Sequence, residues 1–192
     1  MIKLKKKIII SFMGVDGSGK TTLAKNLQKV IKNSQYLHLK PYILFLDRRR
    51  VVKKPQHEKK SLFILSFLRL LSWLISYRFF FFQNTSKKIY IFDRYAHDLL
   101  IDPLRYRHGL PNKFTKFFLQ FFPQPDLWIF LKPSLRIIKS RKIELHDSEI
   151  NRQIQEYIKF FKHKKNVIML NKNMQKKKII TKILTTINTV VK

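Results

Sequence analysis

Three of the chain's four glycines, Gly14, Gly17 and Gly19, fall within six positions and lead into Lys20 and Thr21 in the run GVDGSGKT. The spacing fits G-x-x-x-x-G-K-[ST], a loop whose backbone N–H groups cradle phosphate oxygens at the start of a helix. Glycine suits that role because it tolerates positive φ and lets the backbone approach a ligand closely. The candidate nucleotide-binding residues are therefore Gly14, Asp16, Gly17, Ser18, Gly19, Lys20, Thr21 and Thr22. Lys20 brings a mobile positive charge to the β and γ phosphates, and the Thr21 hydroxyl can ligate Mg²⁺. A second constellation stands at Asp93 and Arg94, after the apolar run KIYIF. A carboxylate at the C-terminal end of a strand faces the ligand crevice of an open sheet. Asp93 can hold the water shell of Mg²⁺ there, while Arg94 can clamp a second phosphate. Thr21 and Asp93 are the candidate metal residues.

The elements that must position these groups alternate along the chain. An apolar strand over Ile8 to Phe12 runs into the glycine loop, and TTLAKNLQKVIK after it has helical periodicity. Gln35 to Leu39, Lys88 to Phe92, Asp126 to Leu131 and Asn166 to Leu170 read as four more strands. Helices are expected over Ser61 to Phe82, over NKFTKFFLQFF after Pro111, from Pro133 through Ile138 to Arg141, from Glu149 to Phe161, and over Gln175 to Val190. The basic stretch Asp47 to Lys60 reads as an exposed connection. Alternating strands and helices with right-handed crossovers predict an α/β fold: a parallel five-stranded sheet with helices on both faces, in one domain spanning residues 1–192.

Composition narrows the partners. The formal charge is +30, from 41 Lys and Arg against 11 Asp and Glu. Such a charge gives salt-sensitive affinity for polyanions. The lysines are scattered through every segment, however, and AT-biased coding accounts for their abundance, so no specific nucleic-acid partner is expected. Four of the 11 acidic residues, Asp16, Asp93, Asp98 and Asp102, stand in or just after the two motifs. The absence of cysteine removes disulfides and thiolate chemistry and agrees with a cytoplasmic protein. His38, His57, His146 and His163 have no metal-ligand spacing. The segment Ser61 to Phe82 is long enough to span a membrane, but Arg69 and Arg78 interrupt it, each costing about 2.5 to 3.5 kcal/mol near a span centre. A buried or dimer-interface helix, in a homodimer, is the expectation, with peripheral membrane contact as the lesser reading. Tyr95 and His97 read as core more than as a platform for a base.

SFMGVDGSGKTTLAKNL, IFDRY at Ile91 to Tyr95 and PDLWIFL at Pro125 to Leu131 together resemble thymidylate kinase and related nucleoside monophosphate kinases, in order and spacing, from about Ile8 to Leu170. The resemblance implies a P-loop kinase that uses ATP and Mg²⁺ and a small-molecule phosphate acceptor. It implies that Lys20 and the loop amides hold the ATP phosphates, that Asp16 faces an acceptor hydroxyl, and that Arg94 bridges donor and acceptor phosphates. It also implies a short lid at about 139–149 supplying Arg141, with Arg136 a lesser substitute; the sequence alone leaves Arg152 open as a third arginine for the transferring phosphate. Lys20, Asp16, Arg94 and Arg141 are thus the expected catalytic residues, and dTMP is the first acceptor expected. The chain departs from the family after Tyr95, where Ser and Ala-Tyr-Gln elements give way to Asp98, Asp102, Arg105, Tyr106, Arg107 and His108. That block leaves two other readings open: a kinase for a non-nucleotide acceptor such as a sugar or surface-carbohydrate precursor, and a degenerate nucleotide-binding protein at a membrane surface or on nucleic acid.

Overall fold

The computed structural model describes residues 7–41, 59–83, 88–132, 147–171 and 176–190. Five strands alternate with helices: β1 (Ile8–Met13), α1 (Lys20–Val30), β2 (Ser34–His38), α2 (Phe63–Gln83), β3 (Ile89–Asp93), α3 (Asp98–Ile101), α4 (Asn112–Leu119), β4 (Leu127–Lys132), α5 (Asp147–Lys162), β5 (Val167–Asn171) and α6 (Lys176–Val190). The strands form one sheet in the order β2-β3-β1-β4-β5, with every neighbouring pair parallel. β1 sits at the centre, Ile10 paired with Ile91 on one side and with Leu127 on the other. Its C-terminal end therefore opens between β3 and β4, the place where such sheets bind ligands.

Strand alternation divides the core in two. Ile8, Ile10, Phe12, Ile89, Ile91, Leu127 and Ile129 point to one face, where Leu23, Ala24 and Leu27 of α1 and Ile179, Ile183 and Ile187 of α6 cover them. Ile9, Met13, Tyr90, Phe92, Trp128 and Phe130 point to the other, under Leu70, Trp73 and Tyr77 of α2 and Ile154, Tyr157 and Phe161 of α5. Continuous apolar strands follow from this double cover, since a residue on either face of a parallel sheet is buried.

The predicted strands all form, each within one or two residues of its expected bounds. The four-residue helix α3 had no periodic signal long enough to read. The predicted helix from Pro133 to Arg141, the lid apart from its last residues, and most of the Asp47 to Lys60 connection lie outside the described residues. Of the two expectations for α2, a buried helix or one at a dimer interface, the fully buried one needs correction. Ser66, Leu70, Trp73, Ser76, Tyr77 and Phe80 form a buried stripe, but Ile64, Leu68, Ile75, Phe79 and Phe82 on the other side are exposed. By length and composition α2 is apolar enough to cross a membrane, and a third of its apolar window is buried. Its two arginines bind it to the domain. Arg69 Nη1 donates to the Tyr106 carbonyl at 2.7 Å, and Arg78 Nη2 to that of Phe121 at 2.7 Å.

Candidate active site

The glycine loop begins where β1 ends. Gly14 has φ +145°, and a Cβ there would lie 2.7 Å from the Leu131 carbonyl oxygen of β4, so no larger residue fits without moving the sheet. Gly19, at φ +94°, is the N-cap of α1. The left-handed turn at Gly19 aims the first free N–H groups of α1 into the loop, where the helix dipole favours anions.

Lys20 is the first residue of α1 and is only 5% exposed. Its Nζ donates to the Val15 carbonyl at 2.7 Å and lies 3.4 Å from Ser18 Oγ. Burial and the charge of Arg94 lower its pKa to about 8, against the opposing pull of Asp16, Asp93 and Asp98. Bringing an anionic phosphate to Nζ would offset both causes, so the charge is held where phosphate binding gains most from it.

Thr21 and Asp93, 72 residues apart in sequence, meet at the loop's edge. Thr21 Oγ1 donates to Asp93 Oδ2 at 2.5 Å, and the Tyr36 hydroxyl of β2 donates to the same oxygen at 2.9 Å. Burial, then Asp93, raises the Tyr36 phenol well above its ordinary value, so it stays a donor. The donor set is hard oxygen, which fits Mg²⁺ and not a soft metal. No group of three or more His, Asp or Glu that could cage a metal occurs among the described residues. The pair therefore suits an ion that takes most of its ligands from phosphates and water.

Arg94 follows Asp93 with φ +74°, unusual for a residue with a side chain. Its N–H donates to the Phe12 carbonyl at 2.9 Å, so the β1-to-β3 ladder runs one residue past the strand while the chain turns. Arg94 is 6% exposed, and its guanidinium is held at both ends: Nη1 donates to Asp98 Oδ2 at 2.7 Å and Nη2 to Asp16 Oδ1. Arg105 repeats the arrangement, with Nε on Asp102 Oδ2 at 2.7 Å and Nη2 on Asp16 Oδ2. Asp98 also accepts from the Tyr157 hydroxyl at 2.8 Å. Asp16 thus lies between two guanidinium groups. Burial alone would raise its pKa, but Arg94, Lys20 and Arg105 outweigh burial and hold the carboxyl below the usual carboxylate range.

A cationic and aromatic wall stands beside this network. Lys40, two residues after β2, is buried, and its Nζ lies 5.0 Å from the centroid of the Trp73 ring on α2. Trp73 in turn packs edge-on to Tyr106 at 5.7 Å. Burial, with Arg69 nearby, lowers the Lys40 pKa to about 8.

The structure thus brings Asp16, Lys20, Thr21, Asp93 and Arg94 together. Ser18 and Gly17 lie within the same loop, Thr22 is exposed on α1, and Arg141 and Arg136 fall outside the described residues. Arg152 bonds Glu149 at 2.7 Å and the Ile101 carbonyl at 2.8 Å. Tyr95 and His97 are core: both are buried and pack near Trp128. Sequence reasoning did not anticipate Tyr36, Lys40 or Tyr157. The first two carry a readable signal, since they sit on or just past a strand that ends at the same crevice as Asp93. Tyr157 reaches Asp98 from 59 residues away with no local signature.

A parallel sheet in this order, with a glycine loop from β1 to α1 and an acidic residue closing β3, defines a P-loop nucleotide-binding fold. Within that class the chain has the thymidylate-kinase-like P-loop kinase fold. It superposes on thymidylate kinase from Candida albicans with a TM-score of 0.63 at 17% identity, over 97% of this chain and 94% of that one. The thymidylate kinase of Ehrlichia chaffeensis gives 0.55 at 17% identity, covering 95% and 99%. Deoxyadenosine kinase from M. mycoides, in a structure with the products dCMP and dCDP, gives 0.61 at 16% identity, covering 95% and 100%. No protein-family model and no curated protein matches the sequence.

Proposed function

We propose that the chain is an ATP-dependent kinase of the thymidylate kinase type, moving the γ-phosphoryl group of ATP to a nucleoside monophosphate, with dTMP the first acceptor expected. The observation that carries this reading is the meeting of Thr21 and Asp93 at 2.5 Å beside Lys20, with Arg94 one residue further on. Phosphoryl transfer needs positioning and charge neutralisation more than covalent chemistry. Loop amides, Lys20, Arg94 and a Mg²⁺ ion held through Thr21 and Asp93 supply both. Mg²⁺, when bound, would draw charge from the β and γ phosphates. Lys20 would hold the phosphates, and Arg94 would orient donor and acceptor toward each other once its contact with Asp16 opens.

An acceptor that already carries a phosphate is favoured over a bare hydroxyl. A hydroxyl nucleophile needs a carboxylate to take its proton, whereas a phosphate oxygen is ionised near neutral pH and needs none. Asp16 is bonded to two arginines and is a weak base, Asp98 is engaged by Arg94 and Tyr157, and Asp102 by Arg105. Lys40, Arg94 and Arg105 are the cations such an acceptor would meet. The same network supports the second reading. Because the Asp98 to Tyr106 block departs from the thymidylate kinase pattern, a phosphorylated sugar or similar non-nucleotide acceptor remains a rival. A degenerate binding protein is disfavoured, since Lys20, Thr21, Asp93 and Arg94 converge on one spot although 74 residues separate the first from the last.

The test is coupled ADP release with Mg²⁺ and ATP, screened against dTMP, dUMP, other nucleoside monophosphates, deoxynucleosides and sugar phosphates, with Lys20→Ala as control. Turnover with dTMP that Lys20→Ala abolishes supports the reading. Turnover confined to sugar phosphates or to unphosphorylated acceptors overturns the nucleoside monophosphate assignment, and no ATP turnover with any acceptor overturns the kinase.

A further inference from the structure

The outer face of α2 and α4 is apolar and is left unused by the proposed chemistry. Ile64, Leu68, Ile75, Phe79 and Phe82 recur along α2 at helical spacing, each between 42% and 81% exposed. Phe114, Phe117 and Phe121 continue the apolar surface along α4 and just past its end, at 44% to 55% exposure. The helices touch at Phe63 with Phe114, 5.8 Å between ring centroids, and at Phe67 with Phe118, 5.3 Å, so the two exposed strips are neighbours. Isolated exposed apolar side chains need no explanation, but a contiguous set of eight does.

Charge decides what covers this face. Residues 59–83 contain Lys59, Lys60, Arg69 and Arg78 and no acidic residue, and residues 111–125 contain Lys113 and Lys116 and none. Lys59, Lys60, Arg78, Lys113 and Lys116 are exposed around the apolar strips. A two-fold contact between copies would press this cationic, carboxylate-free face against itself, in a chain of formal charge +30. An anionic lipid surface answers both features at once: headgroups meet the lysines, and the phenylalanines and aliphatic side chains enter the acyl boundary. Crossing the bilayer is a poor fit, because the opposite side of α2, with Leu70, Trp73, Tyr77 and Phe80, is packed on the sheet.

We propose that the α2 and α4 face is a docking surface for anionic lipid bilayers, on which the domain lies with α2 along the membrane plane. The buried stripe of the same helix carries Trp73 in the wall beside Lys40, so docking would place the acceptor side of the crevice close to the lipid surface.

A chain this basic will adhere to anionic vesicles by charge alone, so the test must report insertion. The chain has no cysteine, which allows one environment-sensitive dye to be placed at Ile75→Cys and, separately, at Lys29→Cys on α1 across the sheet. With vesicles of phosphatidylglycerol and phosphatidylcholine, the dye at 75 should shift to the blue and become about tenfold less accessible to iodide, while the dye at 29 should change little. The charge-preserving variant Leu68→Gln/Ile75→Gln/Phe79→Gln should partition at least tenfold less onto those vesicles. Lys113→Gln/Lys116→Gln should weaken partitioning without changing the blue shift of the bound fraction. Equal partitioning of the Gln triple variant and the parent overturns the proposal. So does a dye at 75 that is already shielded without lipid, with a dimer mass by light scattering, since a second copy then covers the face.

Discussion

Arg94 Nη1 lies 2.7 Å from Oδ2 of Asp98, one helical turn on, and both side chains are almost wholly buried. With Asp98 also taking the Tyr157 hydroxyl, the carboxylate fixes the direction in which the guanidinium points along the crevice. Asp98 acts here through Arg94 and is a positioning residue. Asp98→Asn keeps the shape and removes the charge, so kcat should fall about 10- to 100-fold with the KM for ATP changed much less. Asp98→Ala leaves a buried, half-paired arginine and should cost about 3 to 5 kcal/mol of stability. Steady-state kinetics paired with urea unfolding separates these effects. An Asn variant with normal kcat would show that the Asp98 charge does not position Arg94.

Lys20→Ala should lower turnover by roughly 100- to 1000-fold, the scale seen when one preorganised donor to a developing charge is lost. The fold should survive, because what leaves is a buried cation whose protonation burial already opposes. Coupled ADP release and a thermal melt, run on the same preparation, check both halves. A collapse of the melting transition would show Lys20 to be structural.

Thr21→Val removes the hydroxyl that meets Asp93 while keeping the side chain's volume. The Mg²⁺ concentration for half-maximal activity should rise by about tenfold or more, and Tyr36→Phe, which frees the same carboxylate oxygen without touching the loop, should give a smaller rise. Mg²⁺ titration of activity at saturating ATP distinguishes the two. Equal Mg²⁺ dependence in Thr21→Val and the parent would take the hydroxyl out of the metal site.

The strands and the glycine loop were legible because each carries a local signal: short apolar runs broken by turns, and a spacing that only one kind of loop requires. Placing Asp93 at the mouth of the crevice needed only its position at a strand end. The Asp16, Arg94, Asp98 and Arg105 network was half legible. The block after Tyr95 showed paired acids and arginines, but the sharing of Asp16 between two guanidinium groups needs the 89-residue contact that brings Arg105 to the loop. α2 stayed open between core, dimer interface and membrane contact because its exposed stripe is as apolar as its buried one, so composition could not tell a covered helix from one with a bare face. Tyr157 enters the site through a tertiary contact alone, 59 residues from Asp98, whereas Tyr36 lies on a strand whose end at the crevice could have flagged it.

His97 is held between Tyr95, Trp128 and Phe160, and its Nδ1 has no hydrogen-bond partner among the described residues. Burial, with Lys164 adding to it, lowers its pKa to about 3, and burial with Arg69 and Lys60 lowers that of His108 to about 4. Both folded values lie below the unfolded one near 6.5, so the unfolded chain binds protons first as pH falls. The stability that neutral histidines contribute is complete above about pH 6.5 and is lost progressively toward pH 4 and 3. For His97 alone this amounts to about 2 kcal/mol between pH 6.5 and 5. His97→Phe fills the same aromatic pocket without the unpaired nitrogen, so it should match or exceed the parent at pH 7.5 and lose less stability on acidification. Urea midpoints from pH 7.5 to 5 measure the difference. Parallel curves for the two proteins would mean that His97 is protonated as easily in the fold as out of it, and that the acid sensitivity arises elsewhere.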